Sequence, residues 1–419
     1  MLELVTLSNG VRIALDPMPA LATAAVGVWQ RVGARWESAA ENGVAHLFEH
    51  MAFKGAGGRD ARQFAETIES VGGIMNAATG YERTSYYARV TREHAAFALE
   101  LIADVLLDPH WLAEDLEKEK GVVAQERGEA FDQPDDRVFE LHQGALFPDQ
   151  ALGRPILGLE ETLAPIDVGA LIGFRAAHMA PERVVICLAG AFDRDAVLEV
   201  AERRFGKIAA RPALAPAPAM AAAGNAIEER RLEQAHLVLS WGAPAAADAQ
   251  LYAARLMADI YGGGMSSRLF QEVRETRGLV YAVDAYVEAL EDCGRLGVYA
   301  GCAAKNAKTV ALLAADLLEN LAETGPTDAE LARAKAVAGA SLLMGAEAPL
   351  ARAEARASQL FLRNALIPFE EIRSRIEAVT ADDVRVAARA ALAQPACVSV
   401  IGPKAGLAAA AAFQARFPV

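Results

Sequence analysis

Short apolar runs alternate with longer stretches of helical periodicity along the chain. In the first half, the runs at 24–29 and 84–90 are typical of buried strands. Apolar residues recur with helical spacing at 42–53, 92–107 and 112–129. This order of elements predicts an α+β fold, in which a sheet is covered by helices.

The second half repeats this order, with strands and helices predicted at 236–241, 249–261, 295–301, 305–323 and 328–344. If Trp29 is set against Trp241, the same shift along the chain places Tyr87 on Tyr299. Self-similarity of this kind indicates an internal repeat. We therefore predict two homologous α/β-sandwich halves, each with an antiparallel-rich sheet.

A segment rich in proline and alanine lies close to the midpoint of the chain. Its prolines disfavour a regular helix and favour an extended linker. We place the linker at 211–227, between an N-terminal domain at 1–210 and a C-terminal domain at 228–419.

Composition narrows the classes of function. Lys and Arg number 41 against 55 Asp and Glu, so the formal net charge is −14, which disfavours nucleic acid as a partner. The four cysteines are too few for a disulfide scaffold and suit a reducing compartment. No apolar run reaches the roughly 18 residues of a membrane span, and the N-terminus lacks the basic start of a signal peptide. We expect a cytoplasmic protein without a membrane partner.

The sequence H-x-x-E-H at 46–50 carries the clearest chemistry. His46 and His50 are four residues apart and share a helical face, and Glu49 reaches the same side. A histidine pair with an adjacent glutamate suits metal-assisted hydrolysis, and this order is an inverted zinc-peptidase motif. The alternative is a helix with two partly exposed histidines. It is disfavoured because the flanking residues are apolar and a buried carboxylate needs a partner.

A catalytic zinc ion usually has three protein ligands, so one more must come from elsewhere. Glu119 and Glu126 are two helical turns apart on the predicted helix at 112–129 and share a face. Glu126 is the favoured candidate, because Val122 and Val123 one turn before it suggest that the helix has entered the core. Glu119 remains the alternative.

With these motifs the chain resembles the pitrilysin–insulinase (M16) zinc metallopeptidases, particularly small bacterial members and the beta subunit of the mitochondrial processing peptidase. Further matching residues are Gly72, Gly73, Thr79, Glu82, Thr84, Tyr86 and 152–158. The family places its third ligand at a fixed spacing after the second histidine, and in this chain that position is Glu126. The resemblance also implies that Glu119 supports the ligands.

The resemblance further implies substrate contacts. Asn76, Ala77 and Ala78 correspond to an edge strand that hydrogen-bonds the backbone of an extended peptide as an added strand. Arg274 and Tyr281, seven residues apart, correspond to a pair that contacts the substrate near the cleaved bond. Arg277 is the competing candidate for the arginine.

A clam-shell chamber is a third implication of the resemblance, and a chain of this length supplies one half of it. Because this chain carries both the ligand motif and the Arg/Tyr pair, we expect a homodimeric Zn²⁺-dependent endopeptidase with Glu49 as general base. Its acidic character favours basic peptide substrates. The alternative is a non-catalytic or obligately heterodimeric subunit of a processing-peptidase-like complex. The natural substrate is not predicted.

Overall fold

Thirteen strands build the sheets within residues 2–212 and 214–418, the parts of the chain that the computed structural model describes. In chain order they are β1 (Glu3–Thr6), β2 (Arg12–Pro17), β3 (Thr23–Gln30), β4 (Gly55–Ala56), β5 (Arg59–Asp60), β6 (Ile74–Thr79), β7 (Thr84–Thr91), β8 (Val184–Gly190), β9 (Gly224–Glu229), β10 (Gln234–Gly242), β11 (Val280–Ala289), β12 (Gly294–Ala303) and β13 (Cys397–Gly402). One sheet has the order β1-β2-β8-β3-β7-β6 and the other β11-β12-β10-β13-β9, while β4 and β5 form a ribbon. All pairs are antiparallel except β2 with β8 and β9 with β13, which confirms the antiparallel-rich prediction.

Helices account for most of the remaining described residues. They are α1 (Val44–Ala52), α2 (Ala61–Glu69), α3 (Ala95–Leu107), α4 (Ala113–Asp132), α5 (Pro134–Leu146), α6 (Glu160–Leu163), α7 (Val168–His178), α8 (Arg194–Phe205), α9 (Leu251–Tyr261), α10 (Ala307–Thr324), α11 (Asp328–Glu347), α12 (Pro349–Arg363), α13 (Phe369–Ala378), α14 (Ala381–Leu392) and α15 (Ala408–Arg416). A π-helical segment spans Phe270–Thr276. Within the described ranges, none of the helices combines the length and the apolar character that crossing a bilayer demands.

The six-stranded sheet is covered by helices on both faces. Val28 of β3 packs in the same core cluster as Leu99 of α3, whereas the next residue, Trp29, packs with Leu360 of α12. Because side chains alternate along a strand, β3 meets an apolar layer on each side. This explains why β3 appears in the sequence as a continuous apolar run rather than an alternating one.

The five-stranded sheet has the same construction. Leu239 of β10 packs in a cluster with Leu318 of α10, and Val238 packs with Val138 of α5 on the opposite face. Each sheet therefore has a thick helical layer on one side and a single helix, α12 or α5, on the other. The predicted α+β fold of two similar halves is confirmed.

The two compact units of the chain differ from the predicted halves by two exchanged segments. The first unit runs to Arg127, resumes from Pro155 to Pro216, and ends with Leu343–Ile367. The remaining residues form the second unit, so the segment 128–154 belongs there. The exchanged segments contain α5 and α12, each of which covers a sheet face that would otherwise expose apolar residues. Sequence periodicity shows that such a helix buries one face, but not which sheet receives it.

The Pro/Ala linker is shorter than predicted at its C-terminal end. Residues 208–212 and 214–223 form no helix or strand, in agreement with the proline content. Strand β9 begins at Gly224, however, and pairs in parallel with β13. The last part of the predicted linker, 224–227, therefore belongs to the second sheet.

The match of Trp29 to Trp241 was wrong by one position. Tyr87 pairs with Gly27, and Tyr299 pairs with Val238. With Tyr87 aligned on Tyr299, Gly27 therefore aligns with Val238, and Trp29 falls one position before Trp241. A slip of this size moves a side chain to the other face of a sheet. Accordingly, Trp29 packs on the α12 side of its sheet and Trp241 on the α10 side of the other.

Candidate metal centre

Helix α1 is preceded by a glycine with a left-handed backbone. Gly43 has φ of +95°, and a Cβ at this position would lie 2.8 Å from the Cα of Gly158. The buried carboxylate of Glu37 accepts hydrogen bonds of 2.8 Å from the backbone N–H groups of Gly43 and Ala45. A carboxylate is favoured at a helix N-terminus, where these N–H groups lack helical partners. These contacts determine where α1 starts and hence where its histidines point.

Two histidines of α1 and one glutamate of α4 bring their donor atoms together. His50 Nε2 lies 3.4 Å and His46 Nε2 3.8 Å from Glu126 Oε2. Ligand atoms from the three residues all lie within 4.8 Å of one another. Two donors that bind one tetrahedral zinc ion at about 2.0–2.2 Å are roughly 3.4 Å apart. The donor set and its spacing therefore fit a single zinc ion.

The reason given for favouring Glu126 was only partly correct. Val123 is fully buried, but Val122 is exposed and the Glu126 side chain is 40% exposed. The buried carboxylate of α4 is that of Glu119, with 6% of the residue exposed. The helix therefore has not entered the core at Glu126, which instead lies at the surface of α4 beside both histidines.

Burial keeps one of the two histidines neutral. The pKa of His46 is lowered to about 4, mainly by burial and further by the neighbouring His50. A neutral imidazole offers the nitrogen lone pair that a metal ion requires. His46 is therefore in the form that binds metal at neutral pH.

Glu119 lies behind His50 rather than beside the cluster. Its Oε2 is 2.9 Å from Nδ1 of His50, and its Oε1 is 2.6 Å from the Lys54 ammonium group. A neutral His50 that donates Nδ1–H to this carboxylate directs the lone pair of Nε2 towards Glu126. Both oxygens of the buried carboxylate are thereby occupied, and Lys54 balances its charge.

Glu49 lies between the two histidines in sequence and contacts a different element. Its Oε2 accepts a hydrogen bond from the hydroxyl of Thr79, the last residue of β6. Burial raises the pKa of the Glu49 carboxyl, and the Thr79 bond opposes part of this rise. A carboxylate with a raised pKa is a stronger proton acceptor, which suits a general base.

The predicted substrate-binding residues of the first half lie on an edge strand. Asn76, Ala77 and Ala78 belong to β6, the last strand of the six-stranded sheet. The side-chain carbonyl of Asn76 accepts a 2.8 Å hydrogen bond from the backbone N–H of Ala77. An edge strand carries backbone groups that can pair with an extended peptide.

Comparison with known proteins identifies the family. Residues 12–160 match the insulinase family (peptidase family M16), and residues 165–337 match the peptidase M16 inactive domain. An uncharacterized zinc protease of Streptomyces coelicolor is 36% identical over 407 residues, which cover 95% of this chain and 89% of that protein. The chain belongs to peptidase family M16. The resemblance seen in the sequence is thus confirmed.

Solved structures show the same M16 fold. A peptidase M16 inactive domain from Pseudomonas fluorescens aligns with a TM-score of 0.88 and 22% identity, over 96% of this chain and 98% of that one. A chain of complex III2 from Candida albicans aligns with a TM-score of 0.83 and 23% identity, over 96% and 95% of the two chains. At these identities the likeness concerns the fold alone.

The second unit of this M16 chain holds the predicted Arg/Tyr pair. The Arg274 guanidinium lies 4.9 Å over the ring of Phe270 within the π-helical segment. Tyr281 is the second residue of β11 and is 63% exposed. Arg277, the competing candidate, forms a 2.6 Å ion pair with Glu272. Each arginine thus has one local contact, and the choice of Arg274 over Arg277 stays a prediction.

Metal ligands are concentrated in the first unit of the M16 chain. Across the described ranges, 2–212 and 214–418, His46, His50 and Glu126 are the one group of three close metal-ligating side chains. Ala258 and Tyr261 of α9, in the second unit, are buried core residues.

Three contacts of the site were missed by sequence reasoning. Lys54 was not considered, because it lies beyond the end of α1 and its partner, Glu119, is on a different helix. Thr79 was noted only as a matching residue, and nothing in the sequence indicated that its hydroxyl reaches Glu49. Glu37 precedes α1 by several residues, and its capping role depends on a loop that periodicity does not describe.

Proposed function

We propose that this M16 chain is a zinc-dependent endopeptidase that hydrolyses peptide bonds in extended peptides. The observation that carries the proposal is the convergence of His46, His50 and Glu126 beside Glu49. Two imidazoles and one carboxylate form a known zinc-hydrolase donor set that leaves a coordination position open. The name of the Streptomyces coelicolor relative, a zinc protease, supports the same function.

The mechanism assigns a separate task to each side chain. Bound zinc would lower the pKa of a water molecule and polarise the peptide carbonyl. Glu49 takes a proton from water and then delivers it to the amine of the departing peptide, as general base and general acid in turn. Glu119 holds His50 in the tautomer that presents Nε2, and Lys54 holds Glu119.

Substrate binding is proposed to involve both units. The free edge of β6, at Asn76, Ala77 and Ala78, pairs with the backbone of an extended peptide. Arg274 and Tyr281 donate hydrogen bonds to the peptide carbonyl or to the oxyanion that develops from it. The net charge of −14 favours basic peptides. Since one chain carries both groups of residues, we propose a homodimer in the cytoplasm, with each active site completed across the interface.

The alternative is a non-catalytic or obligately heterodimeric subunit. Its support is the fold shared with a peptidase M16 inactive domain and with a chain of complex III2. A non-catalytic subunit has no use for the combination of His46, Glu49 and His50 with a buried glutamate behind His50. Peptide cleavage by the purified chain alone would exclude both forms of this alternative.

The deciding experiment measures zinc content and peptide cleavage for the wild type and Glu49→Gln. We expect both proteins to retain zinc, and cleavage by the variant to fall by about 10²–10⁴-fold, because general acid–base catalysis contributes that much. Glu114→Gln, on the exposed start of α4, is the control and should behave as wild type. A chelator should abolish cleavage by the wild type. Unchanged cleavage by Glu49→Gln would reject the mechanism.

A further inference from the structure

We propose that Thr79 is a positioning residue that holds the general base Glu49 through the end of the edge strand β6. The inference rests on the proposed peptidase function, in which Glu49 accepts a proton. It assigns to Thr79 a role in turnover that is separate from zinc binding and from peptide binding.

The contact joins two elements that are distant in sequence. The Thr79 hydroxyl donates a hydrogen bond to Oε2 of Glu49 in α1. A helix turn alone leaves a glutamate side chain three rotatable bonds. A hydrogen bond to one carboxylate oxygen restricts those rotations and directs the other oxygen. Thr79 therefore determines the position of the Glu49 carboxylate.

The alternation of β6 explains why Thr79 can make this contact. Ala77 packs into the core cluster that contains Leu47 and Phe48 of α1. Side chains two residues apart share a face of a strand, so Thr79 faces α1 as Ala77 does. Asn76 and Ala78 face the other side. Among the β6 residues, Thr79 is thus the one whose side chain reaches Glu49.

The position of Thr79 is itself fixed from the neighbouring strand. Thr79 pairs with Thr84 of β7 through the strand backbone, and this pairing does not involve the Thr84 side chain. This end of β6 is therefore anchored through β7. A peptide added along the free edge of β6 would pair with the same strand that holds the base. The backbone of β6 would then position both the peptide and, through Thr79, the Glu49 carboxylate.

Three variants separate this role from a structural one. Thr79→Val removes the hydroxyl at nearly constant volume, and Thr79→Ser retains it. Thr84→Val is the matched control, because it makes the same change at the paired position, where the hydroxyl contacts a backbone carbonyl and not Glu49. Each protein is assayed in full length for kcat, KM, zinc content and thermal unfolding.

We expect Thr79→Val to lower kcat by about 10- to 100-fold, since small misplacements of a catalytic group have effects of this size. Its KM should stay within about twofold of wild type and its zinc content should be unchanged. Thr79→Ser should recover most of kcat, and Thr84→Val should retain kcat even if it lowers the unfolding temperature. A wild-type kcat for Thr79→Val, or an equal loss in Thr84→Val, would overturn the proposal.

A structural measurement keeps the inference separate from the proposed function. Crystal structures of zinc-loaded wild type and Thr79→Val should show the Glu49 carboxylate rotated away from its wild-type position in the variant. An unmoved carboxylate would overturn the positioning role, whatever the activity. Conversely, if zinc-loaded wild type cleaves no peptide while the carboxylate moves as expected, the peptidase function fails and the Thr79 contact stands.

Discussion

The two units share the same arrangement of sheet and helices, but α1 of the first unit and α9 of the second carry different side chains. In the first unit, α1 presents His46 and His50 towards Glu126. In the second unit, α9 is packed with core residues, and the buried hydroxyl of Tyr261 donates a 2.7 Å hydrogen bond to the carbonyl of Ala314. The shared fold depends on apolar positions that both units retain. Metal binding depends on a few polar positions, and buried core residues can replace them without loss of the fold.

The units also differ in the polar contacts made by α12 and α5, the single helices that each cover one face of a sheet. Helix α12 is held by ion pairs, because Asp16 of β2 contacts Arg352 at 2.5 Å and Arg356 at 3.0 Å. The fully buried polar contact of helix α5 is uncharged, since His142 lies 2.7 Å from the Ser240 hydroxyl and 3.2 Å from the Ser399 hydroxyl. A less buried ion pair between Arg137 of α5 and Glu228 of β9 adds to it. The most buried polar contact of the covering helix is therefore charged in one unit and neutral in the other.

The largest expected effect concerns the metal centre. Glu126→Ala should weaken zinc binding by more than about 100-fold, because it removes a ligand, a larger loss than the 10–100-fold typical of an outer contact. Competition with a chelator of known affinity measures this. Tyr261→Phe in the second unit is the control and should bind zinc as wild type while losing about 1 kcal/mol of stability. Unchanged zinc affinity in Glu126→Ala would refute the ligand assignment.

The next effect tests the charged anchor of α12. Asp16→Asn should lower the free energy of unfolding by about 3–5 kcal/mol, because it removes the buried carboxylate that pairs with the buried Arg356. Chemical denaturation measures the change. Asp195→Asn, at an exposed ion pair with Arg194, should leave the free energy of unfolding nearly unchanged. Equal losses in the two variants would show that the buried ion pair contributes no more to stability than the exposed one.

A smaller effect is expected at Lys54. Lys54→Met should weaken zinc binding by about tenfold, since Glu119 loses the cation that balances it and holds His50 less firmly. Lys54→Arg should retain most of the affinity. Lys118→Met, which removes an exposed lysine paired with Asp115, is the control. The contribution of Lys54 would be disproved if its Met variant bound zinc as tightly as the control.

The smallest expected effect is the pH dependence of the stability that His142 contributes. Burial lowers the pKa of His142 well below its ordinary value of 6.5, and the nearby Arg295 lowers it further. Below that ordinary value the unfolded chain therefore binds a proton that the folded chain does not. Stability due to His142 is complete above pH 6.5 and falls as the pH is lowered.

Denaturation at about pH 7.5 and about pH 5.5 tests this difference. Wild type should lose about 1 kcal/mol more than His142→Gln over the interval, because the variant cannot titrate at this position. The other histidines are common to both proteins and cancel in the comparison. Parallel pH dependence of the two proteins would contradict the interpretation.

Local features of the fold were predictable because they depend on nearby residues. The run at 24–29 became β3 at Thr23–Gln30, and the pattern at 42–53 became α1 at Val44–Ala52. The spacing of His46 and His50 determined their shared face without any tertiary information. The edge position of β6 came from the family resemblance and not from periodicity, since nothing within 74–79 distinguishes an edge strand from a central one.

What escaped prediction depends on contacts between distant segments. Helix α12 shows an apolar face, but the strand β8 on which it packs ends at Gly190, far earlier in the chain. The error at Trp241 arose because both tryptophans are buried, although on different faces. The contacts of Glu49 with Thr79 and of Glu119 with Lys54 likewise join separate elements, so sequence spacing alone did not reveal them.

The exchange of segments between the units has a consequence for biosynthesis. The face of the six-stranded sheet that receives α12 stays uncovered until Ile367 has been translated, long after the end of the predicted N-terminal domain at position 210. At about 5–20 residues per second, synthesis of the intervening stretch takes roughly 8–30 s. The nascent first unit must be protected from aggregation during that time. For the same reason, a gene cut at the Pro/Ala segment would encode two fragments that each lack a covering helix.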